Sequence, residues 1–311
     1  MQKTKIALLY GGTSNEREVS LRSGAAVLEA LDKQKYEIFE YDPKDQMQNF
    51  IKDAYDKKFE LVLPILHGEV GEDGKLQGLL EILGIKYVFS RCLAQALSMN
   101  KNKAKIIAKA AGVPTANSIT INKSDNYNLP NIKEKVGLPV MVKPVSSGSS
   151  VGISKANSEE ELTTGIASAF QHGEEVLIEK YIQGREFTVA IMGNKVPEAM
   201  PVVEILPQVA DFYDYRAKYE EGGSKHICPA ELDEVTTNKI QTLAIKVFKA
   251  IGCADLARVD FIMDKENNFY FIEINTIPGM TSVSLVPDSA RAVGLDFTTF
   301  LDKLIASALE K

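Results

Sequence analysis

The sequence predicts a chain that is α/β at its start and α+β further on, built as several packed units. Three observations lead there. Strand and helix patterns alternate through roughly the first ninety residues, antiparallel-type strands dominate from about residue 183, and 311 residues exceed what one simple core holds. Residues 5–10, 36–41, 60–66 and 86–89 read as strands, with helices at 16–32, 46–56 and 74–83 between them. Such alternation predicts a parallel sheet covered by helices, whose ligands gather at the carboxyl ends of the strands. Gly11-Gly12-Thr13-Ser14 and the run His67 to Gly74 fall at those ends.

A second unit opens near residue 90 with helical stretches at 91–98 and 101–111. Strands at 116–121, 139–143, 151–154 and 175–180 follow, with a helix at 158–170. The third unit holds a polar loop at about 208–226, a helix at 234–251, a hairpin and a C-terminal amphipathic helix near 296–309. The expected division is therefore 1–89, 90–182 and 183–311, with the units packed around a shared cleft and the polar loop as its lid.

Composition narrows the function. A net charge of −6 argues against a broad basic surface for nucleic acid, and no apolar run reaches the length of a membrane span. The N-terminal apolar run is too short for a signal-peptide core. Cys92, Cys228 and Cys253 are scattered without metal-ligand spacing, which fits a reducing compartment; the expected location is the cytoplasm.

The most informative stretch is Arg258-Val259-Asp260 with Glu273-Ile274-Asn275. Residues 254–263 and 269–274 are apolar-rich, and Asp264 to Asn268 between them read as a turn. Pairing symmetric about that turn sets Asp260 opposite Glu273 and Arg258 opposite Asn275, all on one face. Opposed carboxylates repel unless a cation joins them. Oxygen donors without Cys or His suit a hard ion such as Mg²⁺, which also takes substrate phosphate oxygens. The competing interpretation is a solvated outer face.

Lys143 ends an apolar strand and precedes a Gly/Ser turn running to Gly152. Backbone N–H groups of such a turn can close over phosphates, with the lysine as a point charge; the alternative is an ordinary hairpin loop. Lys101 adds a second cation. Glu179, Lys180, Tyr181 and Ile182 end a buried strand with alternating groups suited to an adenine edge, and Glu186 to ribose hydroxyls.

Taken together these segments resemble the D-alanine–D-alanine ligases of the ATP-grasp superfamily. The resemblance runs from Lys5 to about residue 308, through Gly11 to Ser20, His67 to Gly78, Gly148 to Gly152, Tyr213 to Tyr219 and Arg258 to Pro287. It implies a three-domain ATP-grasp architecture, with an N-terminal parallel-sheet (pre-ATP-grasp) domain and two lobes gripping ATP. The implied reaction is ATP-dependent ligation of two D-alanines through D-alanyl phosphate, for peptidoglycan precursors. Two Mg²⁺ ions on Asp260, Glu273 and Asn275 are implied, with Mn²⁺ as a substitute, K⁺ as a further candidate ion, and a homodimer as the assembly.

The resemblance also assigns roles. Glu16 would hold the first ammonium, although three residues after Thr13 it also fits a capping box. Ser149 and Tyr219 would complete a network with Glu16; otherwise they are a turn serine and a half-buried loop aromatic. Lys218 would meet the γ-phosphate with Lys101, Lys143 and Ser149 nearby, or is a surface lysine. His67 would sit near the first carboxylate, or is a polar core residue. Arg258 and the Gly279 N–H would stabilise the tetrahedral oxyanion, and Ser284 and the backbone of Leu285 would hold the second carboxylate. The chain departs from the family's pattern at Phe89 and Arg91, where glycines are common, and at Asn100, where aspartate is. An ATP-grasp ligase of other specificity, D-Ala-D-lactate included, and a catalytically dead nucleotide-binding regulator are the alternatives. The first would not keep Glu16, His67, Ser149 and Tyr219 together; the second would tolerate loss of Arg258, Asp260 or Glu273.

Overall fold

The computed structural model describes residues 2–149, 151–207, 223–281 and 283–311. Lys218, Tyr219 and most of the expected lid lie outside the described residues. Among those described, the strands form three sheets.

The first is parallel, in the order β2-β1-β3-β4, from β1 (Thr4–Tyr10), β2 (Tyr36–Tyr41), β3 (Leu61–Ile65) and β4 (Lys86–Tyr87). Helices α1 (Arg17–Ala30), α2 (Pro43–Tyr55) and α3 (Lys75–Leu83) connect them. The α2 start comes earlier than expected because Asp42 caps Lys44 N–H and Pro43 sits at the first turn, where a missing N–H costs nothing. Then come α4 (Cys92–Met99) and α5 (Lys101–Ala110).

The second sheet is antiparallel, β5-β8-β6-β7, from β5 (Ser118–Asn122), β6 (Val140–Pro144), β7 (Ser154–Ala156) and β8 (Glu175–Lys180). It is backed by α6 (Leu129–Val136) and α7 (Glu159–Ala169). Helix α6 was not expected: Pro130 in its first turn reads as a break, and the helical spacing of Ile132 and Val136 is a single repeat. The sequence reading also placed β7 too early, because the turn runs on through Gly152 at φ +74°.

The third sheet is the largest: β12-β11-β9-β13-β14, with β10 on β9. Its strands are β9 (Arg185–Met192), β10 (Glu198–Ala199), β11 (Val203–Pro207), β12 (Ser224–Ile227), β13 (Leu256–Met263) and β14 (Phe269–Asn275). Ser224 to His226, expected in the polar loop, belong to β12 because they pair with β11. Helix α8 (Glu234–Ile251) covers one face, and α4 and α5 pack on α8 and β14. Two further helices close the chain, α9 (Leu285–Ala292), which the sequence reading did not separate, and α10 (Phe297–Leu309). Phe300 and Leu304 of α10 share a core with Ile6 and Leu8 of β1.

The β13–β14 hairpin pairs Asp260 with Glu273 and Arg258 with Asn275, the expected register. A bulge makes that possible. Phe261 pairs with Phe271 and Asp260 with Glu273, which leaves Ile272 as the extra residue. Phe269 and Phe271 enter the core beneath α8, and so does Ile274. The alternation therefore changes phase at Ile272, turning Glu273 and Asn275 away from that core. Without the bulge, Glu273 would follow Phe271 into it.

Candidate active site

Two cavities meet at this hairpin. The larger, about 690 Å³, is lined by Glu16, His67, Ser149, Arg258, Asn275 and Ser284 among others. The smaller, about 100 Å³, is lined by Lys143, Glu179, Lys180, Tyr181, Ile182 and Glu186, with Asp260 at its wall. Glu273 lines both.

At one end of the larger cavity, Glu16 stands at the N-cap of α1 and makes no capping hydrogen bond. Its Oε1 instead accepts from the Ser149 hydroxyl, so the capping box is not formed. Two glycine backbones clamp the other oxygen. A Cβ on Gly148 would lie 2.3 Å from Glu16 Oε2, and one on Gly68 2.6 Å from it. Gly68 also sits at φ +73°, where side chains are strained. Ser14 fixes the loop, donating 2.7 Å to the His67 carbonyl and accepting from Glu16 N–H at 3.2 Å.

Glu72 lies close by, a site residue that sequence reasoning did not single out. It is buried and accepts from Gly68 N–H at 2.7 Å. Burial, and next the charge of Glu16, push its carboxyl up to about 8. His67 is buried too, and burial lowers its imidazole to about 4, so it is neutral at pH 7. Its Nε2 is 3.3 Å from Ser23 Oγ, which also accepts from Met280 N–H.

The hairpin charges are matched in pairs. Arg258 donates to both oxygens of Asp260, at 2.9 and 2.8 Å, and Thr188 donates to Oδ1 at 2.5 Å. Lys101 Nζ lies 3.1 Å from Glu273 Oε2 and donates to the Ser147 carbonyl at 2.7 Å. Each of the opposed carboxylates thus has a resident cation. Asn275 Oδ1 accepts from Ile277 N–H at 3.0 Å, which fixes the amide. Beyond it, Gly279 faces Ser284, whose Oγ a Cβ there would meet at 3.0 Å. Ser284 is the N-cap of α9 and Leu285 its first residue, so free N–H groups of the helix start border the cavity.

In the smaller cavity Lys143 Nζ is 2.5 Å from Glu179 Oε1. Lys105, another residue the sequence reading passed over, is 2.8 Å from Oε2. Burial raises the Glu179 carboxyl, but the two lysines outweigh it and hold the group at about 2. Lys180 donates to the Leu138 carbonyl at 2.8 Å, and Lys155 Nζ stands 4.0 Å from the Tyr181 ring centre. Lys105 had a faint signal, since it lies four residues after Lys101 on the same helical face. Thr188 had none; its contact with Asp260 is created by the β9–β13 register.

Two of the three departures have a physical context, and nothing in the structure explains the third, Arg91. Phe89 takes φ +76°, the left-handed region that glycine occupies freely, and donates its N–H to Asp255 Oδ2 at 2.8 Å. Asn100 caps α5, accepting from Lys103 N–H at 2.9 Å, a task aspartate performs equally. Arg91 is exposed at the start of α4 and makes no capping bond.

The donor set suits Mg²⁺. Among the described residues no three His, Cys, Asp or Glu side chains converge on a cage. Two carboxylates and an amide, with room left for phosphate oxygens, are what this ion commonly takes.

A parallel sheet joined to two antiparallel sheets that flank a cavity defines an ATP-grasp architecture. The comparisons agree. Residues 5–53 and 39–90 match the family model described as D-ala D-ala ligase N-terminus, and 107–306 that described as D-ala D-ala ligase C-terminus. A D-alanine–D-alanine ligase of Syntrophobacter fumaroxidans is 43% identical over 310 residues, covering 99% of both chains. One from Halalkalibacterium halodurans is 42% identical over 310 residues, covering 99% of this chain and 100% of its own. Among solved structures, the D-alanine–D-alanine ligase of Bacillus anthracis complexed with ATP gives a TM-score of 0.86 at 33% identity, covering 99% of this chain and 98% of its own. The VanG D-Ala:D-Ser ligase of Enterococcus faecalis gives 0.87 at 34%, covering 99% and 100%. The chain belongs to the D-alanine–D-alanine ligase family. Among the described residues no helix is long and apolar enough to cross a membrane.

Proposed function

We propose that the chain joins two D-alanines into D-alanyl-D-alanine, with ATP converted to ADP and phosphate, for peptidoglycan precursor synthesis. The supporting observation is the position of Glu273 on the wall shared by the two cavities; in this reading a nucleotide's terminal phosphoryl group meets an amino acid beside it.

In this reading Glu16, held by Ser149, takes the ammonium of the first D-alanine. Neutral His67 lies near its carboxylate. That carboxylate attacks the γ-phosphorus of ATP and the bond to the ADP oxygen breaks, giving an acyl phosphate. Both reactants are anions, so Lys101, Lys143 and Lys218 offset their repulsion. Mg²⁺, or Mn²⁺ in its place, would be held by Asp260, Glu273 and Asn275 and supplies further neutralisation of the phosphoryl oxygens. The second D-alanine, its carboxylate at Ser284 and the Leu285 N–H, attacks the acyl carbonyl with its neutral amine. Arg258 and the Gly279 N–H stabilise the oxyanion until phosphate leaves. Tyr219 joins the Ser149–Glu16 network. Glu179, Lys180, Tyr181 and Ile182 border adenine and Glu186 the ribose. A cytoplasmic location and a homodimer complete the proposal, with K⁺ as a candidate activator.

The test is phosphate release from ATP with D-alanine alone, compared with L-alanine, D-alanine plus D-lactate, and D-alanine plus D-serine. Release with D-alanine and not L-alanine, with the dipeptide as product, is expected. Equal release with both enantiomers, or none, would overturn the reading.

A further inference from the structure

Lys105 has no task in the mechanism above, yet it is 5% exposed and lies on the wall of the nucleotide cavity. Its Nζ is 2.8 Å from Glu179 Oε2 and donates to the Phe271 carbonyl at 3.0 Å. Helix α5 is thereby tied to β8 of the small sheet and β14 of the large one, the two that flank the cavity. Lys143 holds the other oxygen of the same carboxylate at 2.5 Å. Two cations on one carboxylate are one more than charge balance needs. Among the described residues Lys105 alone of the two is anchored elsewhere, by the Phe271 carbonyl. Lys143, at the end of β6 beside the Gly/Ser turn, is the one free to swing to phosphates.

Lys105 meets Oε2 at 2.8 Å, and among the described residues no second donor reaches that oxygen, which has two lone pairs. The carboxylate therefore keeps acceptor capacity, in a cavity whose flanks of Met141, Ile182 and Phe271 suit a flat ring. A ligand N–H at the remaining lone pair would make a charge-assisted hydrogen bond, so a donor there is favoured. Adenine offers its exocyclic amino group; guanine offers a carbonyl oxygen at the same ring position, which a carboxylate repels. We propose that Lys105 is a positioning residue, which keeps Glu179 ionised and oriented as acceptor for the adenine amino group while Lys143 passes to the phosphates, and so sets the preference for adenine over guanine nucleotides. The inference rests on the nucleotide cavity of the proposed function but not on the identity of the amino acid.

The test is calorimetric binding of ATP and GTP, without amino acid, to the unaltered protein, Lys105→Met and Glu179→Gln, alongside steady-state kinetics and melting temperatures. The unaltered protein is expected to prefer ATP. Lys105→Met should weaken ATP by roughly tenfold or more and GTP far less, with the loss in KM for ATP and not in kcat. Glu179→Gln, whose amide can turn a donor toward guanine, should narrow the same ratio. Equal weakening of both nucleotides, or a fall in kcat at unchanged KM for ATP, would reduce Lys105 to a structural pin and overturn the proposal. If Lys105→Met does not fold, an ATP-to-GTP ratio unchanged in Glu179→Gln overturns it instead. Selective ATP binding without D-alanine-dependent phosphate release would sink the proposed function and leave this inference standing.

Discussion

The Ser149 hydroxyl donates to Glu16 Oε1 across 133 positions of sequence, joining the turn after β6 to the start of α1. The bond ties the first sheet to the second through a buried carboxylate, which occupies room that side chains at Gly68 and Gly148 would take. Ser149→Ala removes the donor and leaves a buried charged acceptor short, a loss of about 1–3 kcal/mol. The expected result is a rise of roughly 10- to 100-fold in KM for the first D-alanine, read from initial rates. Unchanged kinetics for both amino-acid sites would show that the bond is not used.

Glu273 joins the two cavities and pairs with Lys101 at 3.1 Å. Glu273→Gln keeps its shape and loses its charge. Phosphate release should fall by roughly 100-fold or more, whereas stability should fall by only about 1–3 kcal/mol, because Lys101, 8% exposed, keeps its bond to the Ser147 carbonyl. Near-normal turnover would remove Glu273 from the metal assignment.

Glu72 predicts a pH dependence of stability. Its carboxyl titrates near 8 in the fold against 4.5 in an open chain, so the folded protein holds the proton more tightly. The contribution to stability is complete below about pH 4.5 and is lost as pH rises through 8. Glu72→Gln should therefore become progressively more stable than the parent across that window, by on the order of a few kcal/mol at its upper end. Urea unfolding from pH 5 to 9 measures it; a parallel pair of curves would show that Glu72 is not protonated in the fold.

At Phe89 the usual order of substitutions should invert. The side chain is fully buried, so its removal costs about 3–5 kcal/mol. Glycine is ordinarily worse than alanine through its greater freedom when unfolded. At φ +76°, however, alanine keeps the strain that glycine lacks, worth about 1 kcal/mol. Denaturation of Phe89→Gly and Phe89→Ala should find the glycine variant the more stable. The reverse order would mean that Phe89 is not held in the left-handed region.

Much of the first sheet was legible because β1 and β3 are short apolar runs, each followed within a few residues by a glycine turn. The α6 and α9 helices were not, since Pro130 and Pro287 stand in their first turns and read in sequence as breaks. In the site, Asp260 and Glu273 stood out as oxygen donors on paired strands, although they face each other only through the bulge at Ile272. Lys105 and Glu72 did not stand out, because a buried lysine or glutamate looks in sequence like a surface one until its partner arrives from a distant element.

Order along the chain and the kinds of side chain at the strand ends were enough to specify a parallel sheet, a hairpin bearing oxygen donors, and a family likeness. Which donors share a space was settled in three dimensions. The bulge at Ile272 turns Glu273 out of the core, the clamp of Gly68 and Gly148 aims Glu16, and α5 delivers Lys105 to Glu179. Local patterns fix what each segment prefers, whereas a charge's role depends on the burial and neighbours that packing alone supplies.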